Sequence, residues 1–284
     1  MTAFAYAACT FIWGSTWMAI KFGLEGVPPF LGAGLRFVLA AAVLWAMIMA
    51  SGKRRPLSPS GRKAVWAAAL LGFAWNYALV YWSETRVASG LVAVLFSLSP
   101  LLTAFFAAAL GAERPGLRHV AGAFVGVAGV TLLMWPEKGL AAADPAGLLA
   151  AFLACAGSAL NLVLQSRWAR GEDAWTLNAR AMSVGAALLL LMSLAFERGT
   201  AVTWTASNAA ALLYLSLAGS VTAFLLLYRL LRELPPSRVS LMTLLFPVVA
   251  LALGWLVLGE APTARGLLGC ALILGGVGGA LVGR

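Results

Sequence analysis

The chain is a succession of long apolar runs, separated by short segments that carry charges, Gly, Pro and Trp. Each run is about 20 residues long, the length that an α-helix needs to cross the hydrocarbon core of a bilayer. The runs predict ten spans near residues 3–22, 30–51, 64–83, 88–110, 116–135, 146–166, 175–196, 207–228, 237–258 and 264–282. The period-2 alternation of a membrane barrel is absent, so we expect every span to be helical.

Composition agrees with lipid as the solvent of this chain. Of the 284 residues, 62% are hydrophobic and 11% are charged, against about 25% charged in ordinary soluble domains. So few charges cannot coat a soluble protein of this length. The predicted fold class is an all-α polytopic membrane protein, and ten spans leave no room for a second, soluble domain.

Basic residues predict which way the spans face. The formal net charge of +10 would suggest a nucleic acid partner in a soluble protein, but in a membrane protein it reflects the collection of Lys and Arg in cytoplasmic loops. A cytoplasmic N-terminus puts thirteen basic residues inside and five outside. The inside set is Lys53, Arg54, Arg55, Arg62, Lys63, Arg114, Arg118, Arg167, Arg170, Arg229, Arg232, Arg238 and Arg284; the outside set is Lys21, Arg86, Lys138, Arg198 and Arg265. We therefore expect both termini in the cytoplasm of a bacterial inner (plasma) membrane and no nucleic acid partner.

The chain repeats itself at an offset of 147 residues. Six identities share this offset: Pro100 with Pro247, Glu113 with Glu260, Pro115 with Pro262, Arg118 with Arg265, Gly122 with Gly269, and Gly129 with Gly276. Near the start of each half, an offset of 143 places Gly14-Ser15 on Gly157-Ser158. We predict a first repeat over residues 1–139 and a second over residues 140–284.

Five spans per repeat make the second copy enter the membrane from the side opposite to the first. Inverted repeats are typical of secondary transporters, in which two related halves enclose a site near the midplane and expose it alternately to each face. The alternative is a duplicated scaffold that stabilises the protein without alternating access.

Several motifs resemble those of the EamA-type drug/metabolite transporter superfamily, over nearly the whole chain. They are Trp13-Gly-Ser-Thr with Lys21, Pro28-Pro29 with Arg36, Ser97-Leu-Ser-Pro100, Gly111-Ala-Glu113-Arg-Pro115 and Gly259-Glu260-Ala-Pro262. The resemblance implies a ten-helix inner-membrane transporter with two inverted five-helix repeats. Among its members, the aromatic content is most similar to the YddG-type exporters of aromatic and other amino acids.

Polar and aromatic stripes on three spans predict the lining of a central site. Trp13 and Trp17 lie four residues apart on the first span, as do Tyr77 and Tyr81 on the third, so each pair shares a helix face. The remaining candidates are Asn76 on the third span and Ser158, Asn161 and Gln165 on the sixth.

Each candidate also has a purely structural interpretation. The amides can be interhelical hydrogen-bonding groups, and the aromatic rings can be packing. Five further tryptophans at span ends are better interpreted as interface anchors: Trp82, Trp135, Trp168, Trp175 and Trp204.

The chemistry of the candidates favours an amino acid as substrate. Ring faces accept flat apolar groups and cations, and amides and hydroxyls pair with amino and carboxylate groups. A multidrug or organic-cation efflux carrier and a sugar-phosphate exchanger remain alternatives. The latter requires a cationic site, for which only Arg36 and Arg180 are candidates, and both are equally interpretable as arginines that reach the membrane interface.

Pro100 and Pro247 lie inside the fourth and ninth spans, where each removes a helical hydrogen bond. We hypothesise that the two helices bend there to gate opposite faces of the cavity; a static kink is the alternative.

No acidic residue is expected deep in a span, which favours uncoupled, facilitated transport over proton coupling. Glu84 is the main reservation, because a small shift of the third span would bring it into the outer vestibule. A single histidine, scattered cysteines and the absence of HExxH and GxSxG motifs argue against an enzyme. We expect no cofactor and no metal, and the sequence leaves the oligomeric state open.

Overall fold

A computed structural model describes residues 1–52, 56–134, 144–258 and 263–282. Four features predicted from the sequence lie outside these ranges: the boundary between the repeats, Trp135, the Glu260 and Pro262 pair, and five of the basic residues counted above (Lys53, Arg54, Arg55, Lys138 and Arg284).

The described residues form helices throughout, without strands, and ten helices are long and apolar enough to cross a membrane. The prediction of an all-α membrane protein is therefore confirmed. The helices are α1 (Thr2–Gly23), α2 (Pro29–Ser51), α3 (Pro59–Glu84), α4 (Ser89–Phe96 and Ser99–Ala109), α5 (Leu117–Met134), α6 (Pro145–Trp168), α7 (Ala174–Phe196), α8 (Ala206–Glu233), α9 (Pro236–Ser240 and Met242–Leu258) and α10 (Ala264–Val282).

Most predicted bounds agree within two residues, but α3 begins five residues earlier than expected and α8 ends five residues later, at Glu233. The charged residues Arg62 and Lys63 suggested a loop, whereas Ser58 caps a helical turn there by accepting a hydrogen bond from the Gly61 N–H at 3.1 Å. Pro59 at the first helical position supports the same start. The charges thus lie on the first turn of the helix.

Two helices carry a π-helical segment at equivalent positions. Residues Ala68–Trp75 of α3 and Leu217–Thr222 of α8 are π-helical, and the offset of 147 places 217–222 on 70–75. A π turn widens the helix and changes which backbone carbonyls remain available to other groups. Both segments face the centre of the bundle, which bears on the site described below.

The packing of the two halves is symmetric. Helix α1 packs against α8 and α9, and its counterpart α6 packs against α3 and α4; α2 packs against its own counterpart α7, and α5 against α10. Each half therefore buries its helices largely against the other half.

The contact between α5 and α10 depends on glycine. A Cβ atom on Gly122 would lie 2.4 Å from the Gly276 carbonyl oxygen, and one on Gly276 would lie 2.5 Å from the Gly122 oxygen. Gly129 and Gly269 meet in the same reciprocal way, at 2.7 and 2.9 Å. The offset of 147 residues relates Gly122 to Gly269 and Gly129 to Gly276, so the two contacts are repeat-related to each other. The two helices therefore cross about a local two-fold axis. These four glycines therefore serve close packing between two helices of the same chain.

Carboxylates hold helix N-termini at both ends of the bundle. At the end where α1 begins, which we call the N-terminal end, Glu172 accepts hydrogen bonds from Ser58 at the start of α3, and Glu113 accepts hydrogen bonds from Ser237 at the start of α9. At the opposite end, Glu197 accepts hydrogen bonds from the backbone N–H groups of Phe30 and Leu31 at 2.7 and 3.0 Å. A negative charge at a helix N-terminus is favourable because of the helix dipole, so these contacts tie the halves together.

An ion pair joins the ends of α3 and α6 at the same opposite end. Arg86 Nη1 lies 2.9 Å from Asp144 Oδ2. The hydrogen bond from Arg86, with another from the Ala146 N–H, holds the pKa of the Asp144 carboxyl below its ordinary value.

We predict that Gly276→Ala lowers the melting temperature of the purified protein in detergent, because the new methyl group meets the backbone of Gly122 and Gly126 on α5. Overpacking of this kind costs about 1–3 kcal/mol. The matched control is Gly278→Ala on the same helix, where a Cβ atom meets nothing within 4 Å. Equal melting temperatures for the two variants would contradict the close contact.

Candidate functional site

A cavity lies at the centre of the bundle, between α1, α2, α3, α4, α6, α8 and α9. With its open side included, the unoccupied space has a volume of about 900 Å³. The π-helical segment of α3 borders the cavity through Gly72, and the π-helical segment of α8 holds the lining residue Arg36.

Six of the eight predicted site residues line this cavity. They are Trp13, Trp17, Asn76, Tyr77, Ser158 and Asn161. The stripes on three separate helices therefore converge on one space, although substrate contact by any of them stays a prediction.

Gln165 lies behind the cavity wall instead of lining it. Its Nε2 donates hydrogen bonds to the Ala64 carbonyl at 3.0 Å and to Asn161 Oδ1 at 2.9 Å, and its Oε1 accepts one from the Tyr228 hydroxyl at 3.0 Å. With both ends of the amide engaged, Gln165 orients Asn161. Its interpretation as an interhelical hydrogen-bonding group fits this geometry.

Tyr81 also lies outside the central lining. It is 2% exposed, packs against Tyr77 with ring centroids 6.3 Å apart, and borders a small separate pocket with Asn208 and Leu215. One helical turn of α3 is enough to take it out of the cavity.

The aromatic walls are held by edge-to-face contacts. Trp13 packs against Phe224 at 5.3 Å and against Phe246 at 6.3 Å, and Trp17 packs against Phe96 at 5.4 Å. Such pairs are preferred geometries of the ring quadrupoles. Trp13 is further fixed by a hydrogen bond from its Nε1 to the Gly219 carbonyl at 3.1 Å.

Arg36 also lines the cavity. The sequence indicated this residue only as a candidate for binding a phosphorylated substrate. It is 1% exposed and does not reach the surface. Its Nε donates a hydrogen bond to Ser220 Oγ at 2.8 Å, its Nη2 donates one to the Gly219 carbonyl at 3.2 Å, and its Cζ lies 4.7 Å from the centroid of the Tyr77 ring. The π-helical segment of α8 thus fixes the guanidinium at the cavity wall.

Arg180, the other arginine considered for a cationic site, does not line the cavity and is half-buried on α7. The two arginines are therefore not a symmetric cationic pair at the centre. Within the described ranges, Arg36 is the single charged residue of the lining, and no Asp or Glu contributes to it.

The residues assigned to the interface do not reach the cavity. Trp82, Trp168, Trp175 and Trp204 are absent from its lining, and Trp204 is 51% exposed. The Glu84 carboxylate belongs to the last residue of α3 and is also outside the lining.

The two prolines occupy different positions in their helices. In α4 the helix is interrupted at residues 97–98, and Pro100 lies in the first turn of the second piece. In α9 the interruption is at Leu241, and Pro247 lies inside the continuous helix Met242–Leu258. Both prolines lie inside membrane-length helices, and the interruption before Pro100 is where proline removes a helical hydrogen bond; the gating role of either residue stays a prediction.

A second crevice adjoins the cavity toward the opposite end of the bundle. It lies between α1, α4, α5 and α9 and is bordered by Lys21 and Pro247, and Trp17 and Phe246 line both spaces. These two aromatic side chains therefore form part of the partition between the cavity and the crevice.

Comparisons with known proteins agree with this architecture. The model of the EamA-like transporter family matches residues 1–135 and again residues 145–282. A solved crystal structure that is 25% identical superposes with a TM-score of 0.81 and covers 98% of this chain and 96% of its own.

Curated relatives cover most of the chain. The uncharacterized transporter YoaV of Bacillus subtilis is 27% identical over 94% of this chain and 92% of its own length. The uncharacterized inner membrane transporter YedA of Escherichia coli is 30% identical over 88% and 80%, and protein PecM of Dickeya dadantii is 30% identical over 94% and 87%.

Proposed function

Because the chain belongs to the EamA-like transporter family, we propose that it carries amino acids, aromatic and other apolar ones, across the membrane through the central cavity. The observation that supports this proposal best is the combination of aromatic walls with one buried arginine in a single space. The proposal includes export from the cytoplasm of a bacterial inner membrane, with both termini cytoplasmic as the basic loops predict.

The walls suit an apolar side chain. Trp13, Trp17 and Tyr77 line the cavity, and a contact with an aromatic ring contributes roughly 0.5–2 kcal/mol. The amides and hydroxyls between them offer hydrogen bonds to the polar end of a substrate. A space with both kinds of wall fits a molecule with one apolar and one polar end.

Two alternative substrates fit less well. An organic cation would meet the positive charge of Arg36 without a carboxylate from the described residues to offset it. A sugar phosphate carries about two negative charges and is usually bound by several cationic groups, whereas Arg180 lies away from the lining. A single fixed guanidinium matches a single carboxylate.

The ends of the cavity support alternating access. Toward the N-terminal end, Val239 and Ser240 of α9 line the cavity, and the start of the same helix is held by the contact between Glu113 and Ser237. Toward the opposite end, Trp17 and Phe246 separate the cavity from the crevice beside Pro247. Helix α9 therefore borders the cavity at both of its ends. A bend within this helix would change the access to the cavity from both sides of the membrane.

Transport in liposomes tests the substrate class. Purified protein in liposomes preloaded with unlabelled amino acid is expected to take up labelled phenylalanine and leucine by saturable counterflow, and to leave tetraphenylphosphonium and glucose 6-phosphate outside. Trp17→Ala should raise the KM for phenylalanine by up to about tenfold, the effect of losing an aromatic contact of about 0.5–1.5 kcal/mol. Trp204→Ala, at an exposed position, is the matched control. Transport of phosphorylated compounds alone would contradict the proposed site.

The same liposomes test the driving force of transport. With no described carboxylate in the lining, phenylalanine flux should be independent of an imposed pH gradient, and a pH dye inside the liposomes should report no acidification that depends on phenylalanine. Glu84→Gln should transport like the wild type. Acidification that depends on phenylalanine and disappears in Glu84→Gln would show proton coupling instead.

Substitution of Pro247 tests whether this residue contributes to gating. Proline has no N–H, so the helical hydrogen bond from residue 247 to the carbonyl of Thr243 is missing. Thr243 lines the cavity. Pro247→Ala restores this hydrogen bond and should slow counterflow several-fold. In a cysteine-free background, labelling of Ala250→Cys in the crevice should fall and labelling of Ser240→Cys should rise. Pro59→Ala, in a first helical turn, is the control. Unchanged flux and unchanged labelling would leave Pro247 as a static kink.

A further inference from the structure

The cation in the cavity wall has only neutral contacts. Arg36 is 1% exposed, and it contacts the Ser220 hydroxyl, the Gly219 carbonyl and the Tyr77 ring, with the neutral hydroxyls of Tyr77 and Tyr81 nearby. Removing a charge from water without a counter-ion is costly, and neutral dipoles offset only part of that cost. No carboxylate of the described ranges lines the cavity, so the site is electrostatically incomplete without an anion.

One donor of this arginine is still available. Among the described residues, Arg36 Nη1 has no hydrogen-bond partner, whereas Nε and Nη2 are both engaged by the π-helical segment of α8. The engaged atoms fix the plane of the guanidinium. The available N–H groups therefore have a defined direction, a geometry suited to a planar carboxylate.

A matching acceptor lines the same cavity. Asn76 is 8% exposed, and its Oδ1 has no hydrogen-bond partner among the described residues. Asn161 differs, because its Oδ1 already accepts a hydrogen bond from Gln165. The lining thus holds one unsatisfied buried cation and one unsatisfied buried amide oxygen.

We propose that Arg36 Nη1 binds the carboxylate of an α-amino acid and that Asn76 Oδ1 binds its ammonium group. Transport then requires a substrate whose carboxylate and ammonium group are both unblocked. This inference rests on the proposed function and deepens it, since it assigns the polar end of the substrate to two residues. The apolar side chain then lies against Trp13 and Trp17. Ser220, and Trp13 through its bond to the Gly219 carbonyl, act as positioning residues for the arginine.

The test with the wild-type protein uses blocked analogues as competitors of labelled phenylalanine counterflow. Unlabelled phenylalanine should compete well. The methyl ester and phenethylamine, which lack the carboxylate, and N-acetylphenylalanine and 3-phenylpropionate, which lack the ammonium group, should each need at least about tenfold higher concentration, as expected for one lost charge-assisted hydrogen bond. Because this measurement needs no variant, a folding defect cannot obscure it.

Variants then assign the two groups. Arg36→Met should reduce phenylalanine counterflow at least about tenfold and abolish the preference for phenylalanine over its methyl ester. Arg36→Lys should retain only part of the wild-type counterflow, because an ammonium lacks the guanidinium fork. Asn76→Leu should abolish the preference over 3-phenylpropionate and keep the preference over the ester. Arg180→Met is the matched control and should behave as the wild type.

The outcomes separate the two proposals. If the wild type moves phenylalanine, and the blocked analogues compete as well as the parent or Arg36→Met keeps the wild-type preference, the assignment to Arg36 and Asn76 is overturned and the proposed function stands. If the wild type moves no amino acid, the proposed function itself fails, and this inference fails with it.

Discussion

A guanidinium charge buried among apolar helices is the constraint on which the centre of this protein depends. Arg36 enters the core from α2, and its charge is met by the backbone and a hydroxyl of α8 and by a ring of α3. Holding it there requires α8 to offer a carbonyl, at Gly219, that can accept from side chains. Trp13 donates to the same carbonyl, so one backbone oxygen organises residues from α1 and α2.

The π-helical segments explain how ordinary apolar helices provide such groups. In a regular α-helix each carbonyl within the helix is occupied by an N–H four residues on. Within the π turn the pattern shifts to five residues, as the hydrogen bond from Ser220 Oγ to the Leu215 carbonyl also reflects. Glycine at position 219 leaves space for the guanidinium. A Cβ atom there would lie only 3.1 Å from Arg36 Nη2. The repeat-related glycine, Gly72, similarly leaves room for Asn161.

The sequence predicted the architecture well because lipid allows few solutions. Span lengths, helical structure and the internal similarity all follow from local runs and offsets, and helical spacing brought Trp13, Trp17, Asn76, Tyr77, Ser158 and Asn161 to one cavity. The depth and role of Arg36 were not predictable in this way, since they depend on a hydrogen-bonding shift in α8 more than 180 residues further along the chain. Gln165 and Tyr81 share a face with true lining residues, and only the packing of neighbouring helices shows that the cavity ends before them. The different settings of Pro100 and Pro247 are likewise a tertiary property.

The reciprocal glycine contacts between α5 and α10 have a consequence for the origin of the chain. Gly122 contacts Gly276, and Gly129 contacts Gly269. The two halves therefore contact each other through equivalent surfaces. A self-complementary patch of this kind is what an antiparallel homodimer of a five-helix protein would use. The interface is thus compatible with an ancestor in which one gene encoded a unit that inserted in both orientations, and fusion of two copies would then have fixed one orientation for each.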